Sequence, residues 1–142
     1  MFTRAMSGVF AAAAVAAVLV TPDAAQAAAP QCNQGSWGRT SVPSYPYVYH
    51  PTYNGDLNCV LGYGSAGQAV FALQNSLNKC NGQGIAIDGN FGVGTRQAVK
   101  NVQQRYGLTQ DGVYGRQTNL AMNWSFNAFT SVGTPSGCYN PA

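Results

Sequence analysis

The sequence predicts a mainly α fold: a compact three-helix bundle with repeated Asp-Gly-x-aromatic-Gly turns, braced by disulfides and carrying an irregular N-terminal arm. Three observations point there. Two copies of one phrase, Asp88-Gly89-Asn90-Phe91-Gly92-Val93-Gly94-Thr95 and Asp111-Gly112-Val113-Tyr114-Gly115-Arg116-Gln117-Thr118, stand 23 residues apart, each ahead of a stretch that can be helical. Apolar residues before and between them recur at helical intervals on one face. Finally, Cys32, Cys59, Cys80 and Cys138 form an even set in a chain that opens with an export signal, which favours disulfides over metal binding.

That signal occupies residues 1–27. Arg4 supplies a positive start, residues 9–20 form an Ala-rich apolar run, and Ala25-Gln26-Ala27 is a small-x-small cleavage site. The run is too short to cross a bilayer comfortably, and no second hydrophobic stretch follows, so the expected mature product is secreted and has no membrane span. About 115 residues then remain, enough for one small domain with an arm.

Residues 28–58 form the arm, rich in Pro, Ser, Tyr and Gly and without helical period. Tyr45, Tyr47 and Tyr49 alternate with Pro46 and Val48, so an extended backbone places the three rings on one side, to stack on sugars or, the favoured reading, to lie on the domain. The domain itself is expected over 59–126. Its first helix starts at Ser65 or Gly67, carries Val70, Leu73 and Leu77 inward, and ends at Asn81-Gly82. After Ile85-Ala86-Ile87 and the first turn, the second helix begins near Gly94 or Thr95, buries Ala98, Val99, Val102 and Tyr106, and stops at Gly107. A third runs from about Gln117 with Leu120, Ala121 and Trp124 inward, and residues 127–142 read as a loop tied by Cys138.

Four cysteines allow three pairings. The preferred one joins Cys59 to Cys80 around the first helix and Cys32 to Cys138 across the two ends, provided residues 60–65 run back along that helix. Charge is sparse: beyond the signal there are Arg39, Lys79, Arg96, Lys100, Arg105 and Arg116 against Asp56, Asp88 and Asp111, with no glutamate anywhere. A net charge of +3 without a Lys/Arg run gives no nucleic-acid patch. Gly62, Gly64 and Gly67 do not follow a strand as a phosphate-binding loop requires, so no nucleotide cofactor is implied.

The order Leu61-x-x-Gly64-x-x-Gly67-x-x-Val70-x-x-Leu73-Gln74-x-x-Leu77, then Asp88-Gly89-x-Phe91-Gly92-x-x-Thr95-x-x-Ala98-Val99-x-x-Val102-Gln103, then Gly107-Leu108-x-x-Asp111-Gly112-x-Tyr114-Gly115-x-x-Thr118, resembles the peptidoglycan-binding domain that accompanies many bacterial cell-wall hydrolases. The resemblance runs from about Leu61 to Trp124. It implies a three-helix module that binds a peptidoglycan glycan or stem peptide without catalysis or cofactor; a secreted cell-wall hydrolase is the protein partner that the alternative reading as an interaction protein would give it. Because the family's turns border a surface groove, it also nominates Asn90, Phe91, Arg96, Val113, Tyr114 and Arg116 as ligand contacts.

Asp88, Gly89, Gly92, Thr95, Asp111, Gly112, Gly115 and Thr118 are assigned to turn and cap. An Asp before Gly holds backbone N–H groups just ahead of it, and a Thr hydroxyl caps the following helix. An aromatic after Asp-Gly either packs under the turn or offers its face to a sugar; burial is the reading for Phe91, and both stay open for Tyr114. Arg96 and Arg116 suit a carboxylate.

An enzyme would need more than this chain offers. Its single histidine, His50, sits in the Pro/Tyr arm, and glycoside hydrolysis would have to draw two carboxyl groups from Asp56, Asp88 and Asp111. The expected function is therefore a secreted, non-catalytic peptidoglycan binder. A secreted interaction or inhibitor protein on the same fold is the alternative, and a small lytic enzyme a weaker one.

Overall fold

Helices and strands share the molecule. The structure, a computed structural model, describes residues 28–40, 47–127 and 136–141. In chain order it holds β1 (Gln34–Gly38), β2 (Tyr47–Thr52), α1 (Gln68–Asn81), α2 (Val93–Arg105), α3 (Arg116–Ala121), β3 (Trp124–Asn127) and β4 (Ser136–Tyr139). The four strands form one antiparallel sheet in the order β1-β2-β3-β4. This overturns the three-helix bundle: the fold is mixed, with a sheet built from the segments read as irregular arm and terminal loop and from the end of the expected third helix. The segment 1–27, with the export signal, lies outside the described residues, as does Tyr45.

Strand β2 forms because its alternation serves two faces. Val48, His50 and Thr52 are buried, while Tyr47 and Tyr49 between them are half-buried. Val48 pairs with Phe126 of β3, and Phe126 with Gly137 of β4, so the N-terminal and C-terminal segments close on each other. Gly137 has to be glycine: a Cβ there would fall 2.6 Å from the Phe126 ring. Trp124 is fully buried as expected, but from β3 rather than α3, and Leu120 of α3 is exposed. Six residues of helix end at Met122 in extended geometry, which hands Trp124 and Phe126 to the sheet.

Helices α1 and α2 bury the faces their spacing marks. Val70, Leu73, Leu77, Val99 and Val102 are all fully buried in one cluster with Val48, Trp124 and Phe126. Gly82, at φ 68°, ends α1 in left-handed geometry and donates to the Leu77 carbonyl, the usual glycine stop.

The disulfides join Cys32 to Cys59 and Cys80 to Cys138, which corrects the expected Cys59–Cys80 and Cys32–Cys138 pairs. The reason lies in residues 60–66. They do not run back along α1. Val60 accepts from Cys32 N and donates to the Pro30 carbonyl, both at 2.9 Å, which sets Cys59 beside Cys32. Leu61 then exchanges backbone hydrogen bonds with Tyr114, and Ser65 accepts from Phe91 N at 2.8 Å, so one short segment stitches both turns together. Cys80, at the end of α1, is left beside β4.

Candidate functional site

Each Asp-Gly turn is organised by a glutamine from the helix before it. Gln74 of α1 is 1% exposed, and its Nε2 lies 3.0 Å from Asp88 Oδ1, 2.9 Å from the Asn90 carbonyl and 3.0 Å from Thr95 Oγ1. Its Oε1 accepts from Asp88 N at 3.0 Å and Gly89 N at 2.8 Å. Gln103 of α2 repeats the pattern, with Nε2 at 2.8 Å from Asp111 Oδ1, 2.9 Å from the Val113 carbonyl and 3.3 Å from Thr118 Oγ1, and Oε1 accepting from Gly112 N. Both carboxylates also accept from the backbone two residues ahead, Asn90 N at 2.9 Å and Val113 N at 2.8 Å. The Asn90 N–H, seconded by Gln74, holds the Asp88 carboxyl below its ordinary 3.8.

The threonines differ from their expected part. Thr95 and Thr118 are buried and turn their hydroxyls toward the glutamines, while Gly92 and Gly115 stand at the N-caps with no side-chain cap bond. Gly89 and Gly112 need to be glycine, since both have left-handed φ, 73° and 72°. A Cβ on Gly112 would also fall 2.8 Å from Arg96 Cγ, an aliphatic stem that can move aside. Gly112→Ala is therefore expected to lower stability by about 1–2 kcal/mol, mainly through backbone strain, as measured by urea unfolding.

Of the six nominated contact residues, two are in the core. Phe91 is 2% exposed and Tyr114 fully buried, so neither ring offers a face to a ligand. Backbone pairing of each aromatic with residues 61–65 pulls it under its turn. The Tyr114 hydroxyl is satisfied inside by Asn119 Nδ2 at 2.6 Å, and burial raises its pKa. Asn90, Arg96, Val113 and Arg116 are at the surface.

Two open clefts mark the turns, at positions equivalent in the repeat. The first, about 110 Å³, is lined by Ile85, Ala86, Asp88, Asn90, Gly92 and Gly94 over Gln74 and Thr95. The second, about 270 Å³, is lined by Leu108, Thr109, Asp111, Val113, Gly115, Arg116 and Gln117 over Gln103 and Thr118, with Val60 on one side. Where the first has Val93 and Gly94, the second has Arg116 and Gln117, so it gains a cation and an amide at its rim. Arg116 and Val113 meet there; Asn90 lies at the first cleft, and Arg96 lines neither. Val60, Leu108, Thr109 and Gln117 line the second cleft without being among the six nominated contacts, and the 23-residue offset relates the last three to Ile85, Ala86 and Gly94 of the first.

Behind the second turn lies a buried polar cluster. The His50 ring stands 4.5 Å from that of Trp124, and its Nδ1 is 3.5 Å from Asn119 Nδ2. Trp124 Nε1 donates to the Asn119 carbonyl at 2.8 Å. Burial lowers the His50 pKa to about 4, so the ring is neutral at pH 7. Among the described residues no group of three or more His, Cys, Asp or Glu side chains is placed to hold a metal ion. No helix among them is long and apolar enough to cross a membrane.

Residues 66–122 match the family model described as a peptidoglycan binding domain. Over 60 residues the chain is 45% identical to a zinc D-Ala-D-Ala carboxypeptidase of Streptomyces albus G, covering 41% of this chain and 24% of that protein. It is 42% identical over 62 residues to a spore cortex-lytic enzyme of Bacillus cereus, covering 43% and 24% respectively. The chain thus spans about a quarter of the length of these curated relatives. Among solved structures, the SleB N-terminal domain is 40% identical, with 43% of this chain and 84% of that one covered and a TM-score of 0.41.

Proposed function

Because the chain belongs, through residues 66–122, to the peptidoglycan-binding domain family, we propose that it is a secreted, non-catalytic binder of bacterial peptidoglycan whose ligand cleft is the one at the second turn. The observation that carries the choice of cleft is its asymmetry. The two turns share a framework, yet only the second combines a volume of about 270 Å³ with a guanidinium at its rim. Arg116 suits a stem-peptide or muropeptide carboxylate, while Val113, 41% exposed, supplies apolar contact. Gln103, Asp111 and Thr118 are used up in holding one another and set the floor.

The non-catalytic reading rests on the same accounting of groups. Asp88 and Asp111 each accept two hydrogen bonds that fix a turn, and His50 is buried against Trp124 and Asn119. Secretion rests on the composition of residues 1–27. A secreted cell-wall hydrolase working on the same polymer is the protein partner this reading implies.

Co-sedimentation with purified insoluble peptidoglycan tests it. The oxidised protein is expected to pellet without releasing soluble muropeptides, and Arg116→Gln to bind about tenfold more weakly through loss of a charged hydrogen bond. A folded protein that stays in the supernatant would overturn the reading, and release of muropeptides would overturn its non-catalytic part.

A further inference from the structure

Of the four nominated residues at the surface, Arg96 alone lines neither turn cleft, and it has a neighbour of the same sign. Lys100 follows it by one turn of α2, so the two side chains share a face. Both stems cross the second turn at Gly112. A Cβ there would fall 2.8 Å from Arg96 Cγ, 3.1 Å from Lys100 Cε and 3.2 Å from Lys100 Cγ. Bare glycine backbone is thus the surface on which two long cationic side chains rest, and packing of the stems limits where the charged heads can go. Asp111, next in the chain, does not pair with them. Its Oδ1 accepts from Gln103 Nε2 and from Val113 N, each at 2.8 Å, and among the described residues neither cation has an ion-pair partner.

The first turn lacks this feature. Gln74 and Gln103 fill the same role 29 residues apart, an offset that sets Gly67 and Phe71 where the second copy has Arg96 and Lys100. What lies over Gly89 is accordingly the Gly67 backbone, whose carbonyl oxygen would stand 3.4 Å from a Cβ on Gly89. A turn of this build therefore forms without a cation over its glycine, which leaves the pair at the second turn available to a ligand. Two cations side by side, one a guanidinium able to give two parallel N–H bonds, suit the two non-bridging oxygens of a phosphodiester. Two charges engage a single phosphate group, far short of the basic stripe that tracks a nucleic acid.

We propose that Arg96 and Lys100 form an anion site for a phosphodiester-linked polymer of the cell wall, with one phosphate between the two charged heads beside the second turn. The site uses neither cleft, so it does not rest on the peptidoglycan reading. Where both hold, two polymers of one wall tether the protein at two points, and individually weak contacts multiply.

Co-sedimentation of the full chain tests this, using bacterial walls that carry teichoic acid, a phosphodiester polymer, and the same walls stripped of it by hydrofluoric acid. At about 50 mM salt the untreated walls are expected to bind about fivefold more tightly, and at about 500 mM the difference is expected to vanish. Arg96→Gln and Lys100→Gln each place a good helix former at the surface. Each is expected to weaken binding to untreated walls about threefold at low salt and to leave binding to stripped walls unchanged. Arg116→Gln is expected to lower both alike, and poly(glycerol phosphate) in solution to reduce binding to untreated walls to the stripped level. Equal or weaker binding of the wild type to untreated walls at low salt overturns the inference. So does an equal loss on both preparations in Arg96→Gln and Lys100→Gln, which would make a peptidoglycan carboxylate their partner. Pelleting with untreated walls alone keeps the phosphate site and removes the peptidoglycan reading, and failure to pellet with either overturns both.

Discussion

Gln74→Leu is expected to lower unfolding free energy by about 3–5 kcal/mol, a large part of the roughly 5–15 kcal/mol that holds a domain of this kind together. The new side chain is apolar, similar in size and suited to a helix, so neither packing nor propensity is the cause. The loss is in partners. Gln74 serves Asp88 Oδ1, the Asn90 carbonyl and Thr95 Oγ1 through one nitrogen, and the N–H groups of Asp88 and Gly89 through its oxygen. Removing it takes a partner from the buried Thr95 hydroxyl and from the half-buried Gly89 N–H, which water reaches poorly, whereas Asp88 and Asn90 are exposed and can turn to water. Denaturant unfolding followed by circular dichroism measures the change, and the midpoint should move with little change in slope. Gln74→Glu is expected to do no better at neutral pH, since it puts a carboxylate where Asp88 and the Asn90 carbonyl need a donor. A loss under about 1 kcal/mol for Gln74→Leu would show that the turn holds without its glutamine.

The second large effect is a loss of stability on mild acidification. Buried His50 has a folded pKa of about 4 against an ordinary 6.5. Between those values the unfolded chain takes up a proton that the folded chain refuses, so stability is complete above pH 6.5, declines as pH falls toward 4, and levels off below. The gap corresponds to about 3 kcal/mol. Asp88 adds a separate loss at lower pH, because its folded pKa lies below 3.8 and protonation there cancels the bonds from Asn90 and Gln74. Urea midpoints taken at half-unit steps from pH 7.5 to about 2 follow both. In His50→Gln the decline between pH 6.5 and 4 should disappear while the more acidic one stays; an unchanged upper slope would assign it to another group.

What could be read from the sequence tracks how local each feature is. Helices α1 and α2 follow from apolar residues within a few turns of one another, and both turns follow from an eight-residue phrase seen twice. The sheet does not. Its strands are four to six residues long, and β2 finds its partner β3 beyond all three helices. Tyr47, Val48, Tyr49 and His50 do alternate, but the inward set of Val48, His50 and Thr52 holds a single apolar residue, so the strand lacks the apolar face that marks one in a sequence. Trp124 and Phe126 alternate too, over a stretch too short to separate from the end of a helix.

The candidate site shows the same division. Arg116 and Val113 fall at the second cleft as their place in the phrase suggests, whereas Phe91 and Tyr114 are drawn inside by backbone pairing with residues 61–65, a contact no spacing rule announces. The threonines mislead for a related reason. A hydroxyl near a helix start is usually a cap, and only the glutamine on the preceding helix redirects it.

The order of the disulfides bears on how such a chain matures. Cys32 pairs with Cys59 and Cys80 with Cys138, so the two covalent loops follow one another along the chain and neither encloses the other. A polypeptide that crosses a membrane N-terminus first can then oxidise each cysteine with the next to emerge. In a chain exported in that way the first bond could close before Cys80 arrives, with no intermediate to be reshuffled on the way to the native pairing. The nested arrangement would instead hold Cys32 as a free thiol until Cys138 appeared.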